Sequence, residues 1–385
     1  MNVKSLKLSY AIPVLMSFFV MSFCDLVGIG VDRIKLEFNL SNTLSQLIPS
    51  VVFVWFFILS VPVGVLQDRL GKRNVLNLGM VITAIGLLLP FFFYSYLSVL
   101  IGFALLGIGN TIVQVSANPL LVDVVPSGKA SSFLSFSQFI KALGSMVAPF
   151  VAVWFASRFG DWKLMFLAFG VVSVIAVFWL GLVRIEETKS TEKRATMTSS
   201  FKLLGNGYIV LMVLGIFFVV GIDVGINAIS GQFLINKFNA VQEFAEKGRS
   251  VYFFGKMLGT FVGALMLTLL PSRKFLFGTS ILGLLAILAI TFAPTALSAM
   301  IIIFIIGLGI ANVFPLIFSI TVEKYPLRSN EISGLMIMAV SGGALIPPVI
   351  GFLTDSIGIV AGMYVLIVCA VYIVFASRLN PKVNS

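Results

Sequence analysis

Twelve apolar stretches recur along this 385-residue chain, and each is long enough to cross a bilayer as a helix, which takes about 20 residues. They run near residues 9–31, 43–66, 75–95, 97–122, 130–157, 162–184, 207–236, 248–270, 273–293, 296–322, 330–355 and 359–378. Hydrocarbon offers the backbone no hydrogen-bond partner, so segments of this kind satisfy their N–H and C=O groups internally, as α-helices. Composition agrees: 59% of residues are hydrophobic and 11% charged, against about 25% charged in soluble domains. The sequence therefore predicts an all-α integral membrane protein with twelve transmembrane helices. The first stretch is too long for a signal-peptide core and is read as a mature span.

The net charge of +11 does not point to nucleic acid, because the basic residues are spread between the apolar stretches. With the N-terminus placed inside, 17 Lys and Arg fall in inside loops, seven in outside loops and two within spans. That asymmetry predicts both termini on the cytoplasmic side of a bacterial inner membrane. The longest polar stretch, from Arg184 to Lys202, follows the sixth span. It predicts a six-helix half at 1–184, a cytoplasmic linker at 185–206 and a second half at 207–385. An internal repeat supports the division: Phe18, Phe19 and Val20 precede Asp25 in span one, as Phe217, Phe218 and Val219 precede Asp223 in span seven.

Four ionisable residues sit inside apolar stretches: Asp25, Lys141, Asp223 and Lys256. A charge at bilayer depth is costly unless paired, which makes each a functional candidate. The chain has no histidine, so proton chemistry falls to carboxylates and lysines, with Asp25 and Asp223 the candidates for coupling. A structural reading stands beside it, with Asp25–Lys141 and Asp223–Lys256 as static pairs that hold helices together. Cys24 and Cys369 are isolated, and no phosphate loop, metal-spaced cluster or nucleophile constellation occurs. The expectation is no cofactor, no metal and no enzyme activity.

Span four carries Asn110, Gln114 and Asn118 four residues apart, so three amides line one helix face. Pro119 frees a carbonyl that a neighbouring group must satisfy. Amides with donors and acceptors suit a polyhydroxylated ligand, although they also bridge membrane helices. Gln138 shares a face with Lys141 in span five, Asn227 lies one turn beyond Asp223, and Asn312 stands in span ten. The substrate-binding candidates are Gln114, Asn118, Gln138, Lys141, Asn227, Lys256 and Asn312. Trp55 and Tyr252 are candidates to stack on a sugar ring.

Spans two and three are joined by Gly64-Val65-Leu66-Gln67-Asp68-Arg69-Leu70-Gly71-Lys72-Arg73. This resembles the loop signature of the major facilitator superfamily, and Gly64, Asp68, Arg69, Gly71 and Arg73 carry the likeness. The resemblance implies two pseudo-symmetric six-helix bundles with substrate near the membrane midplane. Ala117-Asn118-Pro119, the run Val220 to Ile226, Phe314-Pro315 through Ser319, and Ser333-Gly334 to Pro347-Pro348 narrow it further. They resemble the bacterial fucose, glucose and galactose proton symporters. Departures accompany the matches: neutral Gln114 stands where that branch places a span-four glutamate, and Lys141 where asparagine is usual. Thr260 takes the place of the usual span-eight arginine, with Lys256 one turn before it. The resemblance implies proton-coupled uptake of a sugar, and the two lysines extend this to a sugar acid, by a monomer whose partners are its ligand, protons and the bilayer. Alternatives are an organic-anion exchanger or facilitator, and a membrane sensor that binds sugar without moving it.

Overall fold

The computed structural model describes the backbone of residues 8–26, 34, 37–40, 42–126, 128–187 and 195–379. Its helices in chain order are α1 (Leu8–Met21), α2 (Asn42–Leu70), α3 (Lys72–Phe92), α4 (Tyr96–Val124), α5 (Ala130–Phe159) and α6 (Leu164–Leu182). Short α7 (Met197–Lys202) follows, then α8 (Gly207–Phe238), α9 (Gln242–Met266), α10 (Ser272–Thr291), α11 (Ala296–Ile310) and α12 (Val313–Lys324). The last are α13 (Ser329–Met338), α14 (Gly342–Ile357) and α15 (Ile359–Ser377). Ten helical segments among the described residues are long and apolar enough to span a membrane.

Each expected span is met by helix, with informative interruptions. The α1 helix stops at Met21 and tightens into a 3-10 turn over Ser22–Leu26, and residues 27–31 of the expected first span lie outside the described set. Span ten breaks between α11 and α12, and span eleven passes through a 3-10 turn at Ala339–Ser341. Pro119, by contrast, sits inside an unbroken α4. The carbonyl of Val115, four residues earlier, has no N–H to receive there. Ser333 Oγ donates to it at 2.6 Å, which lets the helix run on.

The chain forms two compact units. Unit 1 comprises Met1–Ser127, Ile140–Ser200 and Tyr325–Met338; unit 2 comprises Gly128–Phe139, Phe201–Lys324 and Ala339–Ser385. Each sequence half thus lends a short segment to the other's unit, and α5 passes from one to the other between Phe139 and Ile140.

A charged corner organises the start of α3 in unit 1. Gly71 takes φ 85°, a left-handed conformation that turns α2 sharply into α3. Lys72, fully buried, reaches Asp123 at the end of α4 with Nζ–Oδ2 2.6 Å. Glu187 accepts from the backbone N–H groups of Lys72 (2.6 Å) and Arg73 (2.9 Å), placing a carboxylate at the positive end of α3. The Arg73 guanidinium donates to the carbonyls of Leu180 and Gly181, at the negative end of α6. At another corner of unit 1, Glu37 accepts from Tyr94 Oη (2.5 Å) and Trp162 Nε1 (2.6 Å). Burial and the Glu37 carboxylate push the Tyr94 phenol well above its usual range.

Lys72→Met takes the ammonium from the buried Asp123 carboxylate, at an expected cost of about 3–5 kcal/mol of stability. Thermal unfolding in detergent reads it as a clear fall in Tm, and the double variant Lys72→Met/Asp123→Leu recovers most of the loss.

Candidate functional site

In unit 2, α8 and α9 bring three of their polar side chains to one point. Gly221 and Gly225 of α8 pack so closely on α14 that an added Cβ would lie 2.5 Å from Ile346 and 2.6 Å from Ile350. Two residues along a helix is roughly 200° of rotation. Asp223 and Asn227 therefore face away from α14, toward α9. On α9, Gly255 and Gly259 lie against α11: an added Cβ would come within 2.3 Å of the Phe304 carbonyl oxygen and 2.7 Å of Ala311 Cβ. Gly307 returns the contact: a Cβ added there would lie 2.4 Å from the Tyr252 carbonyl oxygen. Small residues four apart let membrane helices touch backbone to backbone. This seam fixes α9 with Tyr252 and Lys256 turned to α8.

The result is a carboxylate held at both oxygens. Lys256 Nζ lies 2.5 Å from Asp223 Oδ2, and Tyr252 Oη donates to Oδ1 at 2.6 Å. Tyr252 is fully buried, whereas the side chains of Asp223 and Lys256 retain 25% and 28% exposure. The pair is thus neutral, hydrogen-bonded and still accessible, the combination that lets a membrane-embedded ion pair exchange partners. Asn227 Oδ1, one turn along α8, is buried without a partner among the described residues.

The other candidates are distributed. Asn312 fills the break between α11 and α12, where Nδ2 donates to the Gly259 carbonyl at 2.8 Å. Thr279 Oγ1 donates to the Gly309 carbonyl released by the same break, at 2.6 Å. Asn312 thus braces the seam that aims Lys256, and its Oδ1 has no partner among the described residues. Gln138, half-buried in unit 2, makes no hydrogen bond to Asp223 or Lys256.

In unit 1, Gln114 and Asn118 are buried on α4, with Asn118 Nδ2 donating to the Gln114 carbonyl at 2.7 Å. The Oδ1 atoms of Asn110 and Asn118 and Trp55 Nε1 are buried without partners among the described residues. Lys141 is half-buried and meets no carboxylate among those residues. Asp25 stands in the 3-10 turn after α1, and its side chain lies outside the described set.

The loop residues form a second polar cluster in unit 1. Gly64 meets α13 so closely that a Cβ would lie 2.7 Å from the Asn330 carbonyl oxygen. Asp68 accepts from Asn330 Nδ2 (3.1 Å) and from the backbone N–H of Ala195 (2.8 Å), while Arg69 is exposed. Ser199 donates to Glu331 at 2.5 Å, and Arg328 pairs with the same carboxylate. Two participants carry signals beyond those read above. Tyr252, a stacking candidate by its ring, lies one turn before Lys256, which marks it as a hydroxyl for the same face. Lys72 reads as one of the inside-loop cations, although Asp123 at the end of an apolar span signals a need for a partner.

The family model of the Major Facilitator Superfamily matches residues 13–244. A glucose/galactose transporter of Brucella abortus is 30% identical over 95% of this chain and 92% of its own length. Among solved structures, the E. coli fucose:proton symporter FucP superposes with TM-score 0.83 at 19% identity, covering 96% of this chain and 98% of that one. The proton:xylose symporter XylE superposes with TM-score 0.75 at 13% identity, over 96% and 94%.

Replacing Tyr252 by Phe removes one of the two hydrogen bonds on a largely buried carboxylate. The expected loss is about 1–2 kcal/mol, smaller than for Lys256→Met, and thermal unfolding of the two variants side by side checks the order.

Proposed function

We propose that this chain, which belongs to the Major Facilitator Superfamily, takes up a sugar or sugar derivative together with protons by alternating access. It is a multi-pass membrane transporter, not an enzyme. The sugar class is drawn from the glucose/galactose transporter that it resembles along nearly its whole length. The observation that carries the coupling is the Asp223–Tyr252–Lys256 arrangement, an accessible ion pair within the apolar part of unit 2.

Its mechanism follows from charge balance. While Lys256 holds Asp223, the pair is neutral and the carboxylate needs no proton. A ligand that draws Lys256 away leaves a lone carboxylate at membrane depth, and a proton from the acidic side neutralises it. Tyr252 keeps Asp223 in place meanwhile. Release of ligand and proton on the other side restores the pair, so the site differs between states in what Lys256 contacts. Asn227, Gln138 and Asn312 of unit 2, and Gln114, Asn118 and Lys141 of unit 1, are the groups assigned to the ligand. Asp25 is the second carboxylate available for coupling. The halves 1–184 and 207–385 are the moving bodies, joined by the linker 185–206. Gly64, Asp68, Arg69, Gly71 and Arg73 belong to the gating loop, in an inner membrane with both termini cytoplasmic, and the chain works as a monomer.

Proteoliposomes with an acidic exterior test this. Wild type is expected to accumulate a labelled sugar from a panel of D-glucose, D-galactose, L-fucose and their acid derivatives. Asp223→Asn is expected to abolish accumulation yet retain counterflow between equal concentrations, where no net proton movement is needed. Unchanged proton-driven accumulation in both Asp223→Asn and Asp25→Asn removes the coupling assignment.

A further inference from the structure

Three hydrogen-bonded rungs join α8 to α9. Arg249 Nε donates to the Asn227 carbonyl at 3.3 Å, Tyr252 Oη to Asp223 Oδ1, and Lys256 Nζ to Asp223 Oδ2. Arg249, Tyr252 and Lys256 follow one another three and four residues apart, so they share a helix face, with the two cations about 10 Å apart along the axis. The seam therefore holds two positive charges and one negative among these three rungs.

Its hydrogen-bonding capacity is just as unbalanced. An ammonium has three N–H donors, and Lys256 commits only the bond to Asp223 among the described residues. An exposed guanidinium with five donors commits one at Arg249 among the described residues. Asp223, by contrast, has both oxygens engaged. At these three rungs an arriving group meets spare donors and more positive than negative charge, while the Asp223 carboxylate is already occupied. Neutral hydroxyls, which are donors as much as acceptors, use only part of this. A carboxylate uses all of it, through charge-assisted bonds roughly twice as strong as neutral ones.

We propose that the ligand of this seam is a monoanionic sugar acid, a deepening that rests on the reading of the chain as a proton-coupled sugar-class transporter. The ligand carboxylate docks first at Arg249 and finishes on Lys256, taking the ammonium from Asp223. Tyr252 retains Asp223 as a positioning residue and touches no ligand. The charges balance: the new Lys256–ligand pair is neutral, and the proton acquired by Asp223 leaves it neutral as well. One carboxylate and one proton therefore cross together, and the transport cycle moves no net charge.

The test uses the full-length protein in proteoliposomes, with labelled D-glucuronate and D-glucose, a fixed pH gradient, and the membrane potential clamped by potassium and valinomycin. Glucuronate is expected to accumulate with the pH gradient and to ignore the potential. Lys256→Gln is expected to raise its half-saturating concentration about ten- to a hundredfold, Arg249→Gln less, and Lys256→Arg least. The uncharged double variant Asp223→Asn/Lys256→Gln guards against misfolding, and is expected to keep the wild-type unfolding temperature within a few degrees while failing to recognise glucuronate. Accumulation of glucose without glucuronate overturns the acid assignment and leaves sugar uptake standing. Accumulation of neither overturns both. Glucuronate uptake that an inside-negative potential stimulates overturns the charge balance, and uptake indifferent to Lys256→Gln overturns the role of Lys256.

Discussion

The cost of a charge in hydrocarbon governs this molecule. An ionisable side chain among apolar helices is costly without a partner, and two of the ion pairs found here tie together elements distant in sequence. Lys72 and Asp123 join the start of α3 to the end of α4, both shielded from solvent, in the manner of a structural pair. Asp223 and Lys256 join α8 to α9 but keep about a quarter of their surface exposed. Accessibility separates the two: the first pair is shielded, the second partly open, and in the proposed cycle it is the second that changes partner.

Backbone economy is the second constraint. An interruption of a membrane helix frees a carbonyl, and at Pro119 and at the break in span ten a specific side chain meets it. Ser333 serves Val115 below Pro119, Thr279 serves Gly309 at the break in span ten, and Asn312 serves Gly259. These bonds let α4 run unbroken through its proline and satisfy backbone carbonyls at and beside the break between α11 and α12. They also explain why glycine recurs at the α9–α11 seam: backbone-to-backbone approach there is what turns Lys256 toward Asp223.

Much of this was legible in the sequence because the membrane leaves so few choices. Apolar length set the helices, and Asp223 and Lys256 stood out as charges where charges are expensive. What stayed hidden depends on tertiary neighbours. Nothing local indicates that Lys72, in a loop signature full of cations, turns inward to Asp123, 51 positions away. Nor does spacing reveal that Asn118 and Asn312 commit their amide nitrogens to carbonyls, since the nearest acceptor is fixed by packing. Tyr252 illustrates a middle case: its face was readable, but its hydroxyl gained meaning only when Asp223 was found beside it. The loop signature behaved similarly, for Gly64 and Asp68 owe their roles to α13, more than 260 residues later.

Proton uptake on ligand binding tests the central claim most directly. Purified protein in weakly buffered detergent solution is mixed with a saturating transported ligand, and the change in pH is recorded. If Asp223 is neutralised when Lys256 turns to the ligand, wild type takes up a proton on binding and Asp223→Asn takes up none. Ligand binding with no proton uptake in wild type, or equal uptake in Asp223→Asn, contradicts the account.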